Sequence, residues 1–311
     1  MSAPWQLALI TLSGLLGCAD KADDTAGGDA LLDVYTLSDD DQFPEGVAFH
    51  AGERAFFLSS LTTGAVTRLD ADGAESTLYT PGAGWMSLGM KLDGDTLAVC
   101  AVYGYGQEDT TGAIWAFDAT TGAVIADVDL SAAFAGANCN DVAFDGGYVY
   151  VTDRENPNLY RVDLAAGSAE LWLTDPALEP GIIGMNGIVV TPGGELLVGK
   201  YSPAELLRVP LADPSALALV ALSGDEVGSL PDGFDGIAWD GDALVIAGNS
   251  ELYRLTSGDD WGSAAVSAVA PGAAIAAVTV AEGRVYGLKG EVVPFVLGTD
   301  IDLPFELRAI E

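Results

Sequence analysis

Asn140-Asp141-Val142-Ala143-Phe144-Asp145-Gly146-Gly147-Tyr148-Val149-Tyr150-Val151 reads as an oxygen-bearing anchor, an apolar strand, a Gly-rich hairpin turn and a second apolar strand. Tyr160-Arg161-Val162 follows as a third strand, and Glu170-Leu171-Trp172-Leu173 as a fourth, more variable one. The order recurs on both sides. Glu45-Gly46-Val47-Ala48-Phe49, Asn186-Gly187-Ile188-Val189-Val190 and Asp235-Gly236-Ile237-Ala238-Trp239 each lead through a turn to a second apolar segment. Aligned on the anchor, units begin at Glu45, Leu88, Asn140, Asn186, Asp235 and Ala276, spaced 43, 52, 46, 49 and 41 residues apart.

Four strands per unit, repeated six times at this period, predict an all-β fold: a six-bladed β-propeller with four-stranded antiparallel blades around a central channel. Leu31–Leu37 is expected to complete the last blade beside Pro304–Arg308, which closes the ring and hides sheet edges. An Arg recurs in the third strand, at Arg68, Arg161, Arg208 and Arg254. Its stem packs on apolar surface while its head reaches an acidic loop, so these four are scaffold.

The propeller is assigned to residues 31–311. Residues 1–17 read as a signal peptide, because the apolar run Leu7–Gly17 is too short to span a bilayer and ends in Leu15-Leu16-Gly17-Cys18. That ending resembles the bacterial lipobox, although Met1–Gln6 carries no Lys or Arg. The resemblance implies an acylated Cys18, a flexible tether over residues 18–30 and a lipid-anchored place in the cell envelope, periplasmic or surface-exposed. An oxidising compartment leaves Cys100 and Cys139 either as a disulfide or as two buried thiols.

The 311 residues carry 12 Lys and Arg against 46 Asp and Glu, a formal net charge of −34. Nucleic acid is excluded as a partner, since a phosphate backbone needs clustered cations and these are few and scattered. A self-repelling acidic surface suits a soluble, monomeric body.

The anchors carry the chemistry. In a propeller the innermost strands line the channel, so Glu45, Asn140, Asn186 and Asp235 converge on one rim, while Leu88 and Ala276 leave two apolar gaps. Carboxylates mixed with amide carbonyls suit Ca²⁺, which takes roughly 6–8 oxygen ligands. Zinc would need imidazole, and His50, on the far face, is the only histidine.

The ordered set Phe43-Pro44-Glu45-Gly46, Asn140-Asp141, Met185-Asn186-Gly187-Ile188 and Asp235-Gly236 resembles the senescence marker protein, gluconolactonase and regucalcin-like family of six-bladed propellers, over roughly residues 40–290. The resemblance implies a divalent metal held by Glu45, Asn186 and Asp235, with Asn140 touching metal or substrate. Leu230-Pro231-Asp232-Gly233 offers a competing Asp-Gly pair, but spacing to the next hairpin selects Asp235 and leaves Asp232 at the mouth. Sugar-lactonase members carry an Arg where this chain has Asn138, and paraoxonase-like members use a His pair that this chain lacks.

The chemistry expected of such a site is hydrolysis of a small ester or lactone, with metal polarising the carbonyl, Asp235 as ligand and base, and Asp141 as a spare carboxylate. Second-strand ends return to the same rim, which places Asp153, Arg154, Lys200, Tyr201, Asn249 and Lys289 near the opening with Asn138, and Tyr103 and Tyr105 as walls. A non-enzymatic, metal-stabilised binding or scaffold propeller is the alternative.

Overall fold

The computed structural model describes residues 30–310 except 108, 182, 225–232, 249 and 272–273. The signal peptide, Cys18 and nearly all of the tether, along with Asp232 and Asn249, lie outside the described residues. Leu31–Glu311 forms one compact unit.

Six antiparallel blades make up that unit. Their innermost strands are Val47–His50, Trp85–Asp93, Cys139–Asp145, Met185–Val190, Ile237–Asp240 and Ile275–Ala281. Strand Val34–Thr36 pairs antiparallel with Glu306–Ile310, Tyr35 opposite Leu307, so the N-terminal end completes the sixth blade. Buried Tyr35 packs edge-on against Phe56 of blade one at 5.4 Å, tying the closure to the next blade.

Blade five departs from four strands. Extended chain pairs with blade four at Ala218–Leu219, crosses over, and adds Ala221–Ser223 in parallel to the outer strand of blade five. One segment thereby covers two neighbouring edges.

The third-strand arginines meet acidic partners. Arg68 Nε donates to Asp70 at 2.8 Å and Arg161 Nε to Glu170 at 2.7 Å, Arg208 lies 3.7 Å from Glu195, and Arg254 pairs with Asp240. Cys100, in the second strand of blade two, is disulfide-bonded to Cys139, the first residue of blade three's innermost strand.

The glycine that follows four of the six anchors has a packing cause. Gly46, Gly187 and Gly236 are not in the left-handed region. A Cβ on Gly46 would overlap the Leu88 carbonyl oxygen, one on Gly187 the Asp235 carbonyl oxygen, and one on Gly236 would come within 2.7 Å of Ala277 Cα. The motif therefore lets neighbouring innermost strands approach closely around the axis. Gly46→Ala is expected to lower stability by about 1–3 kcal/mol through overpacking, read from urea midpoints; an unchanged midpoint contradicts this origin of the motif.

Candidate metal centre at the propeller axis

Irregularities in the ladders aim the anchors. The pairing of four innermost strands with their neighbours slips, between Ser87 and Met90, Cys139 and Val142, Met185 and Ile188, and Ile275 and Ala277, so Leu88, Asn140, Asn186 and Ala276 all lie in bulges. A bulge re-aims side chains and frees them from the up-down alternation of a strand. Glu45 and Asp235 stand just before their strands. Ser59 Oγ accepts from Glu45 N at 3.2 Å and Gly46 N at 2.6 Å, and Asp235 N donates to Ala247 O at 2.8 Å.

Glu45, Asn140, Asn186 and Asp235 line one axial cavity with Asp141 and Lys91; Ala276, from one of the apolar gaps, is on its wall. The volume is about 10 Å³, near the smallest space that holds one water-sized particle. All four anchors are buried. Asn140 Nδ2 donates to Glu45 Oε1 at 3.3 Å, and the Asn186 side chain hydrogen-bonds the Asp235 carboxylate. Two oxygens, Glu45 Oε2 and Asn140 Oδ1, are buried without any hydrogen-bond partner. An unsatisfied buried acceptor is costly, and two at one axis beside a second carboxylate suit a hard cation. Among the described residues no three His, Cys, Asp or Glu side chains cluster as a metal site. The donors here are two carboxylates and two amides, an oxygen set.

Burial pushes the Glu45 carboxyl up to about 8, the negative charge of Asp141 adding to it while Arg154 and Lys91 oppose it. Asp235 is raised well above the usual carboxylate range by burial, then by the charge of Glu45. In the metal-free protein Glu45 thus keeps a proton that the unfolded chain, with a value near 4.5, gives up earlier. Native protein binds the extra proton between those values, so stability is greatest on the acid side and is lost as pH rises through about 8. Metal-free protein is expected to melt lower at about pH 9 than at about pH 6, and Glu45→Gln to flatten the difference. Equal midpoints for the unaltered protein contradict the shift.

Asp141 stands where four other blades have Gly, at Gly46, Gly89, Gly187 and Gly236. Its carboxylate accepts from Lys91 Nζ at 2.8 and 3.1 Å and from Ile188 N at 3.2 Å, linking blades two, three and four. It is therefore tied into the walls.

The second-strand ends divide into scaffold and mouth. Asp153 is fully buried, accepting from Tyr160 Oη at 2.6 Å and Asn138 N at 3.1 Å, so it organises its loop. Lys200 is held by Ala177 O and Glu205, both at 3.2 Å, and Lys289 by Asp302 at 2.9 Å. Tyr201 N donates to Gly184 O at 3.0 Å. Arg154 differs. Its Nε donates to Asn138 Oδ1 at 3.0 Å and its guanidinium lies 4.1 Å from the Tyr105 ring centre.

Arg154 and Glu45 line a second cavity of about 400 Å³, with Leu61, Trp85, Met86, Tyr105, Phe295 and Val296 among its apolar walls. Tyr103 packs on Trp85 at 5.4 Å. Reading the sequence for anchors and strand ends missed Trp85, Lys91 and the short helix Val292–Leu297, whose Phe295 stacks on Phe43 at 4.3 Å. The signal available was the apolar run Val292–Leu297, which fits no strand of the repeat.

A family model described as a repeat of unknown function, DUF6923, matches residues 61–234, more than half of the chain. No curated protein matches the sequence. Among solved structures, the major allergen Mala s 1 of Malassezia sympodialis is 16% identical with a TM-score of 0.70, covering 91% of this chain and 97% of that one. A gluconolactonase from Xanthomonas campestris is 16% identical with a TM-score of 0.59, covering 89% of each chain. A calcium-binding regucalcin from Agrobacterium tumefaciens is 15% identical with a TM-score of 0.59, covering 90% of this chain and 95% of that one. At these identities the likeness is one of fold.

Proposed function

We propose that this chain, which belongs to the DUF6923 repeat family, binds one Ca²⁺-type cation at its propeller axis and hydrolyses a small ester or lactone at the mouth above it. The observation that carries the proposal is the pair of unpartnered buried oxygens, Glu45 Oε2 and Asn140 Oδ1, at one cavity with Asp235 and Asn186. The propeller likeness to a gluconolactonase and a calcium-binding regucalcin supports it at the level of fold. Export on a lipid at Cys18 and a monomeric state complete the proposal.

Glu45, Asn140, Asn186 and Asp235 are the ligands. A cation bound there supplies a Lewis acid for the substrate carbonyl and for the oxyanion formed on attack. Asp235 takes a proton from the attacking water and returns it to the leaving alkoxide. The new bond joins the water oxygen to the carbonyl carbon, the ester C–O bond breaks, and an acid and an alcohol result, joined as one hydroxy acid when the substrate is a lactone. Asp141, already bonded to Lys91 and Ile188, contributes its charge to the site and leaves proton transfer to Asp235.

The test is hydrolysis of a panel of lactones and aryl esters by full-length protein, with Ca²⁺ and with chelator. Turnover that disappears with chelator and returns with Ca²⁺ is expected. Bound metal with no turnover on any member sinks the hydrolase and favours the second reading, a metal-stabilised binding propeller. That reading draws on the cavity of about 10 Å³, whose donors come from four different blades, so that a cation would staple the ring.

A further inference from the structure

We infer that the mouth cavity is a binding site for a small organic monocarboxylate with an apolar body, and that Arg154 takes the carboxylate. It rests on the mouth proposed above, where a carboxylate is the group that ester or lactone hydrolysis leaves. It concerns binding, so it stands or falls separately from turnover.

Charge is the first observation. Acids outnumber bases 46 to 12 in this chain. Among the described residues, every Lys and every other Arg has a carboxylate within ion-pair distance. Arg154 alone has none. In so acidic a protein a guanidinium without a carboxylate partner points to one kept for a ligand, because Arg presents a planar fork that matches a carboxylate.

Arg154 is also pre-positioned. Asn138 Oδ1 accepts from its Nε at 3.0 Å and the Tyr105 ring lies 4.1 Å from the guanidinium carbon, while its Nη2 is buried with no partner. A buried N–H left unpaired costs free energy that an arriving oxyanion recovers.

Shape supplies the body of the ligand. At about 400 Å³, the cavity is in the range of small-molecule sites. Trp85, Met86, Tyr105, Phe295 and Val296 give it apolar walls. Glu45 is shared by the mouth and the axial cavity, so a carboxylate at Arg154 sits beside the axial site. A carboxylate, with one negative charge, suits this neighbourhood of Glu45 and Asp235 better than a doubly charged phosphate.

The test is calorimetric titration of full-length protein, with and without Ca²⁺, using phenylbutyrate and its neutral primary amide as probes. Phenylbutyrate should bind at least about 10-fold more tightly than the amide, the equivalent of one charge-assisted hydrogen bond. Arg154→Met should remove that preference and leave the weak amide binding; Arg154→Lys should restore part of it. Phe295→Ala, on the exposed helix, should weaken both probes alike and serves if Arg154→Met does not fold. Equal binding of acid and amide, no binding of either, or an unchanged preference in Arg154→Met overturns the inference. Acid binding by a protein that turns over no member of the lactone and ester panel overturns only the hydrolase.

Discussion

Asp235→Asn should lower hydrolysis of the best panel substrate by on the order of 100- to 1,000-fold, the range for losing a positioned base or a group that steadies the oxyanion. It should also abolish stabilisation by Ca²⁺. For the unaltered protein, Ca²⁺ at about 100 times its dissociation constant adds about 2.7 kcal/mol to unfolding. The amide is isosteric and can keep a hydrogen bond to Asn186, so the fold has no packing reason to suffer. Metal-free stability above about pH 8 should rise in the variant, because the repulsion between Asp235 and Glu45 disappears. Loss of the metal response with a gain in metal-free stability is a pattern that a structural carboxylate does not give. An Asp235→Asn protein that still responds to Ca²⁺, or that unfolds without it, counts against the assignment.

The second large effect is on the Cys100–Cys139 disulfide. Its ends lie 39 residues apart, and closing a loop of that size constrains the unfolded chain by about 4 kcal/mol in the entropic model. The paired replacement Cys100→Ala with Cys139→Ala avoids a leftover thiol and should lose about that much, measured by urea unfolding. Cys139 immediately precedes Asn140 in the bulge, so the same variant should bind Ca²⁺ more weakly. A loss under about 1 kcal/mol, with unchanged Ca²⁺ affinity, contradicts both expectations.

The architecture was legible because the repeat is written in alternation and turns. The hairpin Asp145-Gly146-Gly147, with Gly146 and Gly147 both at positive φ, is a local signal of this kind. Closure through Leu31–Leu37 was readable too, since an apolar segment ahead of the first unit has to pair with an open edge. The meaning of the anchor-Gly pair was not. Glycine suggested a turn, whereas at Gly46 and Gly187 it permits contact with a strand a whole unit away in sequence. Asp141 was legible as a rim carboxylate, but its ties were hidden for the same reason: its partners Lys91 and Ile188 belong to the blades on either side. The rim lysines looked available because strand ends alone do not reveal their partners, yet Glu205 and the Ala177 loop hold Lys200 and the Asp302 loop holds Lys289. The extra parallel strand at Ala221–Ser223 arises where one extended run is shared by two blades, a choice set by the packed edges.

The most direct measurement is the metal content of full-length protein after dialysis against Ca²⁺, compared with Glu45→Gln and Asp235→Asn. One tightly held Ca²⁺ per chain is expected in the unaltered protein and none in either variant. Metal retained in both variants, or no metal in the unaltered chain, would contradict a cation site at the propeller axis.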